Sequence, residues 1–274
     1  MVATDKNKLH LLSWLQGIEL FEANFDDMVF SRHAHAGFAV GAITKGVGGY
    51  MCRGSNHLCP PRTLSLMNPE EPHTGHAVDG ALHYKMLYIS ESTVRHLLEV
   101  GTPTGFHQIN PMDHDGLITR HFLQLARQLN RPDATGRLGI EETLVTLLAC
   151  VFSRHGGSSI RAAGKENKAI RRAIEMMHDH VNTQPTAPLS ISDIAGEVGL
   201  NGNYFIQSFS KQRGISPRQY LILTKIHRAK QMIASGGSPL QVALDLGFYD
   251  QSHFIRHFRK INGITPQRLV VHHP

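Results

Sequence analysis

The chain has 274 residues, of which 41% are hydrophobic and 18% are charged, a composition typical of one or two globular domains. No apolar run approaches the roughly 20 residues of a bilayer-spanning helix, and the first residues lack the apolar core of a secretion signal. The three cysteines lack C-x-x-C spacing, which argues against a disulfide framework and a structural zinc site. We therefore expect a cytoplasmic protein without a membrane segment.

The net charge of +6 is carried entirely by the C-terminal part of the chain. Residues 1–165 contain 15 Lys/Arg and 15 Asp/Glu, whereas residues 166–274 contain 13 Lys/Arg and 7 Asp/Glu. A basic segment beside a neutral one indicates an anionic partner for the basic segment alone. Nucleic acid is such a partner, and the alternative is a plainly solvated basic surface.

The first predicted elements are β-strands. Residues 20–90 contain short apolar or alternating runs, such as those at 38–43 and 82–89, with glycines and prolines between them. Many short strands with this punctuation are typical of a sandwich or a barrel. The N-terminal part of the chain is therefore expected to be a β-domain.

Amphipathic helices are expected after the strands. Apolar residues recur at i, i+3 and i+4 in residues 92–100, 116–129 and 138–152. A small, polar stretch follows these helices and has the composition of a linker. The predicted organisation is an N-terminal domain at 1–155, a linker at 156–166 and a C-terminal domain at 167–274.

The C-terminal domain contains an internal duplication. A short helical pattern ends in a glycine in each copy, and Gly199 of the first copy matches Gly247 of the second. Each copy continues with two phenylalanines four residues apart and ends in Gly-Ile-Ser-Pro or Gly-Ile-Thr-Pro. The paired phenylalanines are Phe205 and Phe209 in the first copy, and Phe254 and Phe258 in the second.

Each copy has the pattern of a helix-turn-helix. In the first copy, Ser190 and Asp193 are spaced as a capping box, and Gly199 supplies the left-handed residue that ends the short helix. The following helix carries Phe205 and Phe209 at i and i+4, so that both face the core and the polar residues face outward. The second copy repeats this design, which predicts two helix-turn-helix units.

A long helix from Ser216 to about Ser235 separates the two units. About twenty residues at about 1.5 Å each make a rod of roughly 30 Å, close to the roughly 34 Å between successive major grooves on one face of DNA. The two outward helices are therefore expected to enter adjacent major grooves. One helix-turn-helix pattern alone is weak, because any helical hairpin with a glycine turn resembles it, but the duplication, the spacing and the charge agree.

Residues 168–270 resemble the double helix-turn-helix domain of the AraC/XylS family of bacterial regulators in these motifs. The resemblance implies a seven-helix all-α domain and, by position, a base-reading face on each unit. An arginine on such a face can donate two hydrogen bonds to guanine, which makes Arg256 the principal reading residue. The predicted base contacts are Asn203, Ile206 and Gln207 in the first unit and Gln251, Ser252 and Arg256 in the second. The predicted phosphate contacts are Lys211, Arg259 and Lys260.

The strand-rich segment resembles the AraC-type ligand-binding domain, a cupin-like β-barrel, in motifs such as Ser31-Arg-His33-Ala-His35 and His73-Thr-Gly75. The resemblance implies a small-molecule effector inside the barrel and a homodimer formed through the helices in 116–152. The fold class is accordingly a multi-domain α+β protein. The predicted effector residues are His33, His35, His73, Phe38 and Tyr84.

Three of these effector residues are histidines, which raises the alternative of a metal site. His33 and His35 share one face of a strand, and His73 could meet them across the barrel. Metal cupins usually carry a glutamate shortly after the H-x-H motif, but here Ala36 to Val40 follow. We therefore predict no metal and no other cofactor, with a site formed by His33, His35 and His73 as the alternative.

The functional prediction is a sequence-specific, effector-responsive transcription regulator, an activator rather than a repressor, and not an enzyme. Its expected partners are double-stranded DNA, a small-molecule effector and RNA polymerase. One alternative is a cupin-type metal-dependent enzyme or sensor with a DNA-binding appendage. Another is a constitutive DNA-binding protein whose barrel serves only for dimerisation.

Overall fold

The computed structural model describes residues 7–27, 29–158 and 168–273, without the side chains of 132–135 and 158. The chain forms two compact units, Met1–Arg161 with Arg268–Pro274, and Ala162–Gln267. Most of the predicted linker, from 159 onward, lies outside the described residues, whereas Gly156–Ser158 form a short strand. Among the described residues, none of the helices has the length and hydropathy of a membrane span.

The first unit contains the strands, which include both runs singled out in the sequence. Predicted residues 38–43 and 82–89 fall in two neighbouring strands of one sheet, Phe38–Lys45 and Leu82–Ile89, which confirms the β-rich N-terminal part of the fold. The strands are β1 (Lys8–Leu12), β2 (Ile18–Phe25), β3 (Val29–His33), β4 (Phe38–Lys45), β5 (Gly48–Cys52), β6 (Ser55–Cys59), β7 (Leu64–Met67), β8 (His73–Ala77), β9 (Leu82–Ile89), β10 (Gly105–Phe106), β11 (Gly156–Ser158) and β12 (Leu269–His272).

These strands form two larger sheets and one short pair. A six-stranded sheet has the order β12-β1-β2-β9-β4-β7, and a four-stranded sheet has the order β3-β8-β5-β6. The strand pairs are antiparallel except for β1 and β12, which run parallel with Leu9 opposite Leu269. Because β12 pairs with β1, the last residues of the chain cluster with the first unit, whereas the sequence placed them in the C-terminal domain.

Three helices cover one face of the large sheet. They are α1 (Glu91–Leu98), α2 (Leu117–Asn130) and α3 (Pro132–His155), close to the three predicted helices. The helix α3 is interrupted at Gly136, which has a φ of 68° and a ψ of 169°. Phe122 on α2 and Leu148 on α3 pack with Val40 and Leu87 of the sheet into one buried cluster. This cluster is the larger hydrophobic core of the first unit.

The opposite face of the large sheet is turned toward the small sheet. Side chains alternate along a strand, so that Val40 and Leu87 point to the helices while their neighbours Ala39 and Met86 point the other way. Residues from both sheets therefore line a common space between them. The first unit thus has three layers, consisting of the small sheet, the large sheet and the helices.

The second unit is built from helices that agree closely with the predicted double helix-turn-helix. Their bounds are α4 (Lys168–Thr183), α5 (Ile191–Glu197), α6 (Gly202–Arg213), α7 (Pro217–Ala234), α8 (Pro239–Asp245) and α9 (Gln251–Asn262). Within the described residues, the 3-10 helix Pro266–Arg268 is the seventh helical segment of this region. This arrangement confirms the all-α C-terminal part of the predicted fold.

Local sequence signals account for where these helices begin. The Ser190 hydroxyl accepts a hydrogen bond from the Asp193 backbone N–H, and the Asp193 carboxylate accepts one from the Ser190 backbone N–H. This pair is the predicted capping box. Ser216 forms a second capping box with Gln219 at the start of α7. Such caps satisfy backbone N–H groups that have no partner inside the helix and typically stabilise it by about 1 kcal/mol.

Candidate nucleic-acid interface and ligand cavity

The helix α6 separates an apolar inner face from an exposed outer face. Phe205 and Phe209 are fully buried, and their rings lie 5.6 Å apart in an edge-to-face arrangement. The three residues predicted to read bases from this helix lie on its other side and are exposed, with Ile206 at 42%. They are Asn203, Ile206 and Gln207.

The helix α9 repeats this division. Phe254 and Phe258 are fully buried with their ring centroids 5.6 Å apart, the same separation as in α6. Ser252 and Arg256 are exposed on the outer side. Gln251, the first residue of the helix, is only partly exposed, whereas the sequence pattern placed it on the outward face. The duplication in the sequence is thus a duplication of side-chain environments.

The helices α6 and α9, which carry the outward faces, are the recognition helices of the two units. The turn before each of them contains a glycine in the left-handed region. The φ angle is +70° at Gly199 and +66° at Gly247, as the matched positions in the repeat require. The second turn is anchored by Lys225 of α7, whose ammonium donates hydrogen bonds to the carbonyls of Leu246 at 2.7 Å and Pro185 at 3.1 Å. Burial lowers the pKa of this lysine.

The exposed outer faces are accompanied by cations. Lys211 near the end of α6, and Arg256, Arg259 and Lys260 on α9, are all exposed. None of the four forms an ion pair with any residue in the described part of the chain. A cation without an internal partner is available to a phosphate or a base.

Two exposed tyrosines near the recognition helices were not singled out from the sequence. Tyr204 on α6 is 54% exposed, and Tyr249 in the turn before α9 is 91% exposed. A tyrosine next to a buried phenylalanine looks like a core residue in the sequence. Only the helical phase, which places Tyr204 on the same side of α6 as the exposed Gln207 three residues later, could have indicated otherwise.

The first unit contains a cavity between its two sheets. Its volume is about 710 Å³ when the space that is open to solvent is included. The large sheet contributes Ala39, Ile43 and the alternate residues of β9, and the small sheet contributes Tyr50 and His73. The cavity is mostly aromatic and apolar, and no charged Lys, Arg, Asp or Glu is among the described residues that line it.

The predicted effector residues divide between this cavity and the core. His33, His35, His73 and Tyr84 all line the cavity. Phe38 does not, because it is fully buried on the other face of β4, where it packs on Phe106 and Phe152 with ring centroids 5.5 Å and 5.1 Å away. The sequence suggested an aromatic side chain near the pocket, but strand alternation sends Phe38 toward the helices.

The three histidines meet at one end of the cavity. Their ring centroids are separated by 4.8 Å between His33 and His35, 4.5 Å between His33 and His73, and 5.2 Å between His35 and His73. Burial lowers the pKa of His33 to about 3, with a further contribution from the neighbouring His73. Burial also lowers the pKa of His73. The cluster therefore contains neutral imidazoles near neutral pH.

Both units of the chain match known protein families. Residues 15–148 match the AraC-like ligand binding domain, and residues 194–270 match a helix-turn-helix domain. The chain belongs to the AraC family of bacterial transcription regulators. This AraC-family regulator is thus a DNA-binding protein with a ligand-binding domain, as its motifs implied.

Relatives of the regulator support the same assignment. It is 25% identical over 229 residues to the HTH-type transcriptional regulator YbfI of Bacillus subtilis, covering 82% of this chain and 81% of YbfI. It is 30% identical over 141 residues to the virulence regulon transcriptional activator VirF of Yersinia enterocolitica, covering 50% of this chain and 49% of VirF. The crystal structure of ToxT from Vibrio cholerae has a similar fold, with a TM-score of 0.55, 16% identity and coverage of 92% and 97%.

Proposed function

We propose that this AraC-family regulator reads two adjacent major grooves of one DNA duplex with α6 and α9, and that a small molecule in its cavity controls this activity. The observation that carries the proposal is the duplication of one design within one compact unit. Each recognition helix buries two phenylalanines and exposes a polar face that includes Gln207 or Arg256. Two such faces on one unit favour two separate points of entry into DNA.

The length of α7 supports adjacent grooves. Its 18 residues span about 27 Å at about 1.5 Å per residue, and it contacts helices of both helix-turn-helix units. Successive major grooves on one face of DNA are roughly 34 Å apart. The length of α7 is therefore of the same order as the spacing of adjacent grooves.

We assign different roles to the exposed polar and charged residues. On the first unit, Gln207 would pair with adenine and Ile206 would pack on a thymine methyl group. On the second, Arg256 would donate two hydrogen bonds to a guanine. The other cations would hold phosphates without reading sequence, and they are Lys211, Arg259 and Lys260. Because the first unit lacks an arginine on its reading face, we expect it to discriminate less strongly.

The cavity is proposed to bind an effector rather than to catalyse a reaction. Aromatic and apolar walls with a few hydrogen-bonding groups suit a largely apolar small molecule. One crystal structure of ToxT contains a bound unsaturated fatty acid, so a protein of this fold does bind a small organic ligand. The effector must bind two arrangements of the regulator with different affinities, because equal affinity would shift no equilibrium.

The remaining partners follow from this role. We propose a homodimer formed through the α2 and α3 surface, where Leu138 is 79% exposed. VirF is a transcriptional activator, and by analogy this regulator would activate by contacting RNA polymerase. It would act in the cytoplasm, where bacterial DNA is found.

Selection of bound fragments from random DNA, with and without cell extract, tests the proposal. We expect one enriched sequence with two information-rich segments about 10 base pairs apart, and a change in its yield when extract supplies the effector. Enrichment that does not depend on the extract would contradict control by an effector and would indicate a constitutive DNA-binding protein. The absence of any enriched sequence would contradict sequence-specific binding.

A further inference from the structure

The histidine cluster in the cavity has the geometry of a metal site. One ligand atom from each of His33, His35 and His73 lies within 4.8 Å of the other two. A tetrahedral ion bound at about 2.05 Å holds its ligand atoms roughly 3.3 Å apart. The distances between the three ligand atoms therefore need to shorten by no more than about 1.5 Å to accommodate one shared ion.

Hydrogen bonds to the backbone orient two of the rings for metal binding. Nδ1 of His33 lies 2.8 Å from the carbonyl oxygen of Ser31, and Nδ1 of His73 lies 2.9 Å from that of Glu71. A carbonyl oxygen only accepts, so each Nδ1 carries the proton and each Nε2 has a free lone pair. A metal-binding histidine usually donates its other N–H in this way, which fixes the tautomer and the direction of the ring.

We propose that His33, His35 and His73 bind one divalent first-row transition metal ion, best matched by zinc, inside the cavity. His33 and His73 bind it through Nε2, and one coordination position remains open toward the cavity. Three neutral imidazoles suit zinc, copper or nickel rather than calcium or magnesium, which require oxygen ligands. This inference concerns the first unit alone and does not depend on how the second unit binds DNA.

The structure shows which residue stands where metal cupins carry their glutamate. Ala39 lines the cavity in the stretch after the H-x-H motif where metal cupins carry that carboxylate. The nearby carboxylate of Glu71 is held by Arg53 and by the Asn68 backbone N–H, and is therefore committed elsewhere. Zinc sites with three protein ligands and an open fourth position are an established class, so a fourth protein ligand is not required.

Metal titration of the tag-free full chain tests the proposal. The wild-type chain should bind one equivalent of Zn²⁺, and Co²⁺ in its place should give the intense visible absorption of a four-coordinate ion. His73→Ala should weaken Zn²⁺ binding by about 100-fold or more and remove that absorption. His76→Ala is the matched control, because His76 lines the same cavity but lies outside the cluster and is exposed.

Several outcomes would overturn the metal site. They are substoichiometric Zn²⁺ binding by the wild-type chain, or equal binding by the His73→Ala and His76→Ala variants. If His73→Ala does not fold, as judged by Trp14 fluorescence, His35→Gln keeps the side-chain volume and should show the same loss. Unchanged binding in a folded His35→Gln variant would also contradict the proposal.

Discussion

Arg256 combines three properties at the scale of a single residue. It is exposed, it lies on the outer face of α9, and it is two residues from the buried Phe254 and Phe258 that fix the helix in place. Arginine presents its donors in a planar fork that matches the O6 and N7 acceptors of guanine. The helix already fixes the backbone of Arg256, so that binding to a base costs only side-chain conformational entropy.

Replacing Arg256 by alanine should therefore reduce specific binding selectively. We expect a loss of about 1–3 kcal/mol on a selected site, or about 5- to 150-fold in Kd, and little change on random DNA. Fluorescence anisotropy titrations on both DNAs at one salt concentration measure the difference. Equal losses on the two DNAs would show that Arg256 contacts phosphate instead of a base.

Lys211→Ala is the matched comparison. As a phosphate contact, Lys211 should contribute to both DNAs alike, and its removal should reduce the slope of log K against log salt by about one. An unchanged slope would remove Lys211 from the set of phosphate contacts.

Single residues were predictable from the sequence where a helical or strand period fixed their direction. The buried pairs Phe205 with Phe209 and Phe254 with Phe258 followed directly from i, i+4 spacing. Phe38 was misplaced, because the register that sends it to the helices depends on pairing with β9, where its partner Ile89 lies 51 residues further along the chain. The meeting of His73 with the H-x-H motif was only a possibility in the sequence for the same reason.

At the scale of elements, the two glycine turns look alike in the sequence but differ in their surroundings. A Cβ atom added at Gly199 would meet nothing within 4 Å. A Cβ atom at Gly247 would lie 2.8 Å from the Pro185 carbonyl oxygen and 3.1 Å from Thr186 Cα. Both residues have a positive φ, so both disfavour alanine, but only Gly247 also lacks space.

Gly247→Ala should accordingly destabilise the second unit more than Gly199→Ala does. We expect about 1 kcal/mol from backbone strain at Gly199, and about 2–4 kcal/mol at Gly247, where a clash with backbone atoms adds to the strain. Urea unfolding of the full chain, followed by the far-ultraviolet circular dichroism of its helices, compares the two variants. A larger loss for Gly199→Ala, or equal losses, would contradict this view of the turns.

The sequence predicted the helices that carry their own caps and stop residues. It did not predict a strand whose partner lies far away along the chain. The helices from α5 to α9 carry caps, glycine stops and a regular apolar period, which fixed their limits to within a few residues. β12 has an apolar sequence but no turn that connects it to a partner. Its parallel pairing with β1 joins residues about 260 positions apart, which no local pattern encodes.

At the scale of the whole molecule, that pairing brings the two ends of the described chain together. His272 on β12 and His10 on β1 lie 2.9 Å apart through Nε2 and Nδ1, and His10 also contacts Glu22 at 2.8 Å. His272 is 7% exposed, and burial together with the neighbouring His10 and His273 lowers its pKa to about 4. The strand is therefore held by a histidine that is neutral when folded.

The stability of the first unit should fall in acid for this reason. Below about pH 6.5 the unfolded chain binds a proton at His272 that the folded chain does not bind until about pH 4. The stabilisation is thus complete above pH 6.5, and about 1–2 kcal/mol of it should be lost by pH 5.

His272→Gln tests this dependence, because glutamine retains hydrogen-bonding groups but does not titrate. Urea unfolding followed by the fluorescence of Trp14, the single tryptophan of the chain, should show a smaller loss between pH 7 and pH 5 in the variant. His273→Gln changes the exposed neighbour and should leave the dependence close to that of the wild type. If the His272→Gln variant loses as much stability in acid as the wild-type chain, His272 is not the source of the pH dependence.

Hydroxyl-radical footprinting on a selected DNA site tests the central claim of two recognition helices in adjacent grooves most directly. We expect two protected segments on one face of the duplex, with centres about 10 base pairs apart, and loss of protection at only one of them with Arg256→Ala. A single protected segment, or two segments on opposite faces, would contradict the account.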